Sequence, residues 1–171
     1  SKKCMNIDGL GEKQIKQFYK LKLIKKIEDI FYLDRHKNII IKLDGWGIIS
    51  YNNLINSINF SKKITFDKFI QSLGIRFVGE IVSRLIAYEC VNINNFLNYQ
   101  KQIVSISNID GLGPKALSSL SNYFNNSNNL ISIKKLSEVL DIKDFVKLKS
   151  NNFFSNKKIV LSGTFKCTSR E

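Results

Sequence analysis

The chain has 171 residues, 43% of them apolar and 24% charged, which suits a soluble globular protein with one good core and a fragment of a second. Its 27 Lys and Arg stand against 14 Asp and Glu, a net charge of +13, and such an excess draws polyanionic partners through long-range attraction. Codon drift in an A·T-rich genome also yields abundant Lys, Asn and Ile with Arg only at Arg35, Arg76, Arg84 and Arg170, so charge alone does not choose between the two origins. No apolar run is long enough to span a bilayer and no signal-peptide pattern opens the chain, which leaves no membrane role. Cys4, Cys90 and Cys167 match no zinc spacing or disulfide framework, so a reducing, cytoplasmic setting is expected, and the lone His36 reads as a surface residue.

Taken in order, the chain opens on Ser1-Lys2-Lys3 without an initiator Met and soon reaches Ile7-Asp8-Gly9-Leu10-Gly11. A helical set, Ile15, Phe18 and Tyr19, follows. Ile39-Ile40-Ile41 then leads into Leu43-Asp44-Gly45-Trp46-Gly47 and the set Tyr51, Leu54, Ile55 and Ile58. Phe69-Ile70 leads into Arg76-Phe77-Val78-Gly79, followed by Ile81, Val82, Leu85 and Ile86. Ile109-Asp110-Gly111-Leu112-Gly113 comes next, with Pro114 at a helix start where its missing N–H is tolerated, and then Leu117, Leu120 and Phe124. The i, i+3, i+4 spacing puts an apolar stripe on each helix, which we assign to the core.

The first position of each Gly-x-Gly (Phe77 in the third copy) falls at 9, 45, 77 and 111, at intervals of 36, 32 and 34 residues, a period that signals stacked supersecondary units. The expected fold is therefore mainly α: four tandem helix–hairpin–helix units over residues 1–141, with hairpins near 7–13, 43–49, 74–80 and 109–115. An Asn- and Lys-rich linker is expected over 142–156. Beyond it, Lys158-Ile159-Val160-Leu161 reads as a strand opening an α/β element over 157–171, and both ends of the chain look cut.

Glycine turns the chain sharply and lets another backbone approach. The first N–H groups of the next helix have no internal partner and carry the positive end of the helix dipole. A phosphate fits that cup. Leu10, Trp46, Val78 and Leu112 are expected to anchor each hairpin inward, with Lys13, Lys42, Arg76, Arg84 and Lys115 beside the turns. The candidate DNA contacts are Gly9, Gly11, Lys13, Gly45, Gly47, Arg76, Val78, Gly79, Arg84, Gly111, Gly113 and Lys115. Nothing in the pattern reads base edges, so the binding expected is sequence-independent. Phe77 stands where the first glycine belongs, which predicts a looser grip at the third hairpin, with Arg76 compensating.

Met5 to Lys13 resembles the segment just after the zinc finger of bacterial NAD-dependent DNA ligases, Gln71 to Glu80 and Ile109 to Ala116 resemble that family's third and fourth hairpins, and Lys158 to Phe165 with Ser169-Arg170 resembles the start of its BRCT domain. The resemblance covers essentially the whole chain. It implies a parent enzyme that seals nicks in duplex DNA during replication and repair, using NAD, a divalent metal (Mg) and a structural Zn. Its adenylation, OB and zinc-finger domains would lie upstream, and the protein would sit with the nucleoid. This chain would hold no catalytic residue, metal ligand or cofactor of its own, be inactive alone, and clamp nicked double-stranded DNA. Ser162, Gly163 and Thr164 would either cradle a phosphate or form a tight strand-exit turn.

Lys42-Leu43-Asp44-Gly45 fits the Lys-x-Asp-Gly pattern of an adenylated lysine, but four residues with one wildcard arise by chance, and Asp44 and Gly45 already belong to the second hairpin. Other readings are a targeting module of a repair nuclease or recombination factor, and a set of tight glycine turns that bind protein.

Overall fold

The computed structural model describes residues 4–98, 106 and 108–147. The BRCT-like stretch, with Ser162, Gly163 and Thr164, lies outside the described residues, as do Cys167 and the linker beyond residue 147.

Helix α1 (Glu12–Lys20) is followed by a 3-10 segment (Ile27–His36) that runs into the short α2 (Lys37–Ile40). Helix α3 (Ile48–Ser61), strand β1 (Lys63–Thr65), α4 (Phe66–Ser72), α5 (Glu80–Cys90) and α6 (Ile93–Leu97) come next. Helices α7 (Pro114–Asn125) and α8 (Ser127–Val139) and strand β2 (Asp141–Lys143) complete the described elements. The fold is mainly helical, as the spacing predicts.

Local chemistry sets several boundaries. Lys22 takes φ +59 after α1, so the Leu23 N–H reaches the Phe18 carbonyl at 2.9 Å and the Lys22 N–H reaches Tyr19 at 3.0 Å. That pair of bonds is a Schellman stop made without glycine. At the start of the 3-10 segment, Asp29 accepts the Lys25 and Lys26 N–H groups at 2.8 and 2.9 Å. Helices α6 and α8 begin at Asn92 and Asn126, whose side chains accept the Asn95 and Asn128 N–H groups, each a side-chain N-cap.

The core runs through these elements. Phe18, Leu33, Ile40, Leu54, Phe69, Ile86, Leu120 and Ile133 are all fully buried. The Phe96 ring stands edge-on to Phe66 at 5.8 Å and to Phe124 at 4.9 Å, joining α6 to α4 and α7. Among the stripe residues assigned to the core, Phe18, Tyr51, Leu54, Ile58, Ile86, Leu120 and Phe124 are buried. Ile15, Tyr19 and Ile81 are exposed instead, Tyr19 by 65% and Ile81 by 76%. On α5 the inward face is Ser83, Ile86, Ala87 and Cys90, which leaves Ile81 off that face.

Two further features depart from the expected helical plan. Strands β1 and β2 pair in parallel, with Lys63 opposite Asp141, Ile64 opposite Ile142 and Thr65 opposite Lys143. Packing also continues past residue 141 into the stretch assigned to the linker: the Phe145 N–H donates to the Val91 carbonyl at 2.8 Å and its ring meets Tyr88. Before the first turn, residues 5–7 have no helical structure, so a leading helix precedes the second and third turns but is not seen before the first among the described residues.

Candidate nucleic-acid interface

Four turns share one geometry. The Leu10, Trp46, Val78 and Leu112 N–H groups donate to the carbonyls three residues back, at 3.2, 3.0, 3.0 and 3.1 Å. The third residue of each lies at positive φ: Gly9 at 82°, Gly45 at 75°, Phe77 at 64° and Gly111 at 91°. That combination is the type II turn, which asks for a left-handed residue at its third position. The next glycine in each case (Gly11, Gly47, Gly79, Gly113) is extended and serves as N-cap of α1, α3, α5 and α7. Their carbonyls accept the first helical bonds, from Ile15, Tyr51, Ser83 and Leu117.

None of these four N-caps has a side chain to offer, and none of the four helix starts receives a side-chain cap. The contrast is with α6 and α8, which close their own first turns with asparagine. An uncapped helix start leaves N–H groups directed outward for an external acceptor. Around Gly79 and Gly113 a Cβ would meet no atom within 4 Å, so no other part of the chain packs on the side-chain position of these N-caps. Two outward amides are already used. Ser50 Oγ accepts the Gly47 N–H at 2.9 Å, and Ser57 Oγ accepts the Asp8 N–H at 2.6 Å. Neither serine stands in the glycine pattern, so spacing alone did not single them out.

Packing draws the turns together in pairs. Gly9 rests against Leu54 of α3, with about 3.8 Å from its notional Cβ. A cleft of about 320 Å³ between the first two turns is lined by Gly9, Lys13, Gln14, Asp44, Gly45 and Trp46. A Cβ built on Gly111 would stand 3.3 Å from Leu85 of α5, and Lys115 stands 6.0 Å from the Phe77 ring, joining the third and fourth turns.

Lys13, Arg76, Arg84 and Lys115 are exposed, and Gly9, Gly11, Gly45, Gly79, Gly111 and Gly113 are exposed with them. Gly47 is half-buried. Val78 has a different place: its side chain is 5% exposed and its N–H is taken by Ile75. Its side chain anchors the turn, and its N–H is already spent within it. Leu112 is likewise buried, while Leu10 and Trp46 are half-buried against the core. Lys42 is exposed beside the second turn. Among the described residues no three His, Cys, Asp or Glu side chains gather as a metal ligand set. No helix there is long and apolar enough to cross a membrane.

Residues 68–133, which hold the third and fourth turns, match the helix-hairpin-helix motif family. The chain is 40% identical over 172 residues to a DNA ligase of Pelagibacter ubique, covering 99% of this chain and 25% of that protein. A DNA ligase of Wolbachia pipientis is 39% identical over 176 residues (27% of its length), and one of Rickettsia canadensis 36% identical over 186 residues (26% of its length). The chain thus spans about a quarter of the length of the curated relatives it matches. Along 99% of its length this chain resembles a C-terminal part of bacterial NAD-dependent DNA ligases, as its sequence motifs indicate.

Proposed function

We propose that the four turns are four helix–hairpin–helix units that together grip the backbone of duplex DNA without regard to sequence. The observation that carries this reading is the set of four helix starts on glycine, all without a side-chain cap, in a chain of net charge +13. Each offers amides and a dipole end to one phosphate. Lys13, Arg76, Arg84 and Lys115 supply charge beside them, and charge-assisted contacts of this kind fix position rather than read bases.

In the parent protein this part acts as the clamp of an NAD-dependent ligase that seals nicks in replication and repair. The lysine adenylation, the NAD, the divalent metal and the structural zinc belong to adenylation, OB and zinc-finger domains upstream of this chain. Residues 157–171 are, in this reading, the beginning of a BRCT-like domain, with Ser162, Gly163 and Thr164 as its candidate phosphate loop. Lys42 is no nucleophile in this scheme, and incubation of the chain with NAD is expected to leave no AMP adduct on it.

Binding to a nicked duplex at a series of salt concentrations tests the clamp. With about six phosphates neutralised, affinity falls about 10³-fold between 50 and 200 mM salt. A flat dependence overturns the reading.

A further inference from the structure

The third turn carries a residue that the backbone does not favour. Phe77 holds φ +64, where a side chain with a Cβ is strained and glycine is not, yet the ring is not folded inward to repay that strain by burial. It is 50% exposed. The Arg76 guanidinium lies 5.0 Å from its centroid and the Lys115 ammonium of the neighbouring turn 6.0 Å. A large apolar face is thus held at the surface between two cations. Strain held at a half-exposed position points toward a ligand.

The helix starts divide in the same way. At the second position of each helix the first and fourth units carry Lys13 and Lys115, while the second and third carry Ile49 and Ile81, exposed by 74% and 76%. The outer units are therefore ionic and the inner ones apolar. A phosphate offers nothing to an isoleucine or a phenyl ring. The groove edges of a duplex, with deoxyribose faces and base steps, do.

Resting on the clamp reading above, we propose that Phe77 is the non-ionic contact of this interface. Its ring packs on the apolar surface of the DNA, on a deoxyribose face or into a base step, while Arg76 and Lys115 take the phosphates on either side. Ile81 extends the same apolar contact. Side chains of this class serve as wedges in the minor groove of bent duplexes, where the contact does not release counterions. The looser third hairpin read from the missing glycine becomes, on this view, a unit with a different task.

The test is salt-titrated binding of the 171-residue chain and its F77G, F77L and R76A variants to nicked duplex. Glycine suits φ +64, so F77G keeps the turn, and its melting temperature holds or rises. F77G is expected to bind about tenfold more weakly at every salt concentration with an unchanged slope of log K against log salt, about 1.4 kcal/mol of salt-independent binding. F77L recovers part of the loss, whereas R76A lowers the slope by about one. Equal binding by F77G and wild type overturns the proposal. So does a loss confined to the slope, which would make the ring only a prop for its cations. A flat salt dependence of the wild type strikes the clamp reading itself and is told apart by that. With 2-aminopurine in the duplex, brightening on binding by wild type but not F77G assigns the ring to a base step; an unchanged signal with the F77G loss intact assigns it to deoxyribose.

Discussion

The indole Nε1 of Trp46 donates to Gln17 Oε1 at 3.2 Å, and its ring stands 5.2 Å from Phe18. One side chain of the second turn is thereby fixed to α1, the helix that follows the first turn. The bond forms part of the wall of the cleft between the two turns, so it sets their spacing as well as their stability. W46F keeps the ring contact and removes the donor, leaving the amide of Gln17 without that partner. The expected cost is about 1 kcal/mol, read as a lower midpoint in urea with an unchanged m value. Duplex affinity falls with it if the two turns must hold a fixed spacing on the phosphate backbone. A double cycle with Q17A isolates the bond, because the packing lost with the smaller ring is common to both arms and cancels.

The open helix starts make stability and binding separable. Gly79 and Gly113 are extended N-caps with free space where a Cβ would stand. A serine fits there, and its hydroxyl accepts one of the amides that glycine leaves outward. G79S and G113S are each expected to gain a few tenths of a kcal/mol in stability. Each also weakens duplex binding, since the hydroxyl competes with phosphate for the same N–H and occupies its approach. A calorimetric melt and a binding isotherm on one preparation check both signs together. Binding equal to wild type would show that these amides hold no ligand.

Much of this arrangement is legible in the sequence because glycine is asked for twice at fixed spacing, once for a left-handed turn residue and once for a bare N-cap. Gly9-x-Gly11 and its equivalents satisfy both demands at once. The helical stripes were legible only in part. Ile81 and Tyr19 fit the 3.6-residue period as well as their buried neighbours do, and only the tertiary packing leaves them outside. The parallel pairing of Lys63–Thr65 with Asp141–Lys143 joins two three-residue strands far apart in the chain, too short to show a period of their own. Ser50 and Ser57, which take up turn amides, carry no spacing signal because any hydroxyl at that distance would serve.

Glu28 is the one buried carboxylate among the described residues. Lys135 of α8 approaches it at 3.7 Å, within ion-pair range but beyond a good hydrogen bond, and both carboxylate oxygens lack a hydrogen-bond partner there. Such a pair specifies how α8 sits on the 3-10 segment more than it stabilises the fold, since desolvating the charge offsets the attraction. K135A leaves the buried charge alone and is expected to destabilise by about 1–3 kcal/mol. The double variant E28M/K135M, apolar and of similar length, is expected to match or exceed wild type. Equal losses in the single and double variants would mean that the site's packing, not its charge, governs its stability. Thermal melts of the three proteins read this directly.

Two groups of opposite sense make stability depend on pH. Partial burial works to raise the Asp29 carboxyl, but the amides of Lys25 and Lys26 and the charges of Lys135 and Lys25 together outweigh it and hold the group below its ordinary value. A depressed carboxyl contributes stability that is present above its unfolded value, near pH 4, and is lost as pH falls through the folded one. D29N is therefore less stable than wild type at neutral pH, and the gap closes in acid. Burial pushes the Cys90 thiol up to about 12, with Glu89 adding to the shift. Here the unfolded chain loses its proton first, so stability falls as pH climbs from about 9 toward 12. C90A removes that slope, though the cavity it leaves lowers stability at every pH. The same burial keeps the thiolate from forming in the native state, and the thiolate is the reactive species. At pH 8 a thiol reagent should label the half-buried Cys4 while Cys90 reacts only at the rate of unfolding. Prompt labelling of Cys90 in the native chain would mean that α5 opens locally, and with it the helix start that carries the third turn.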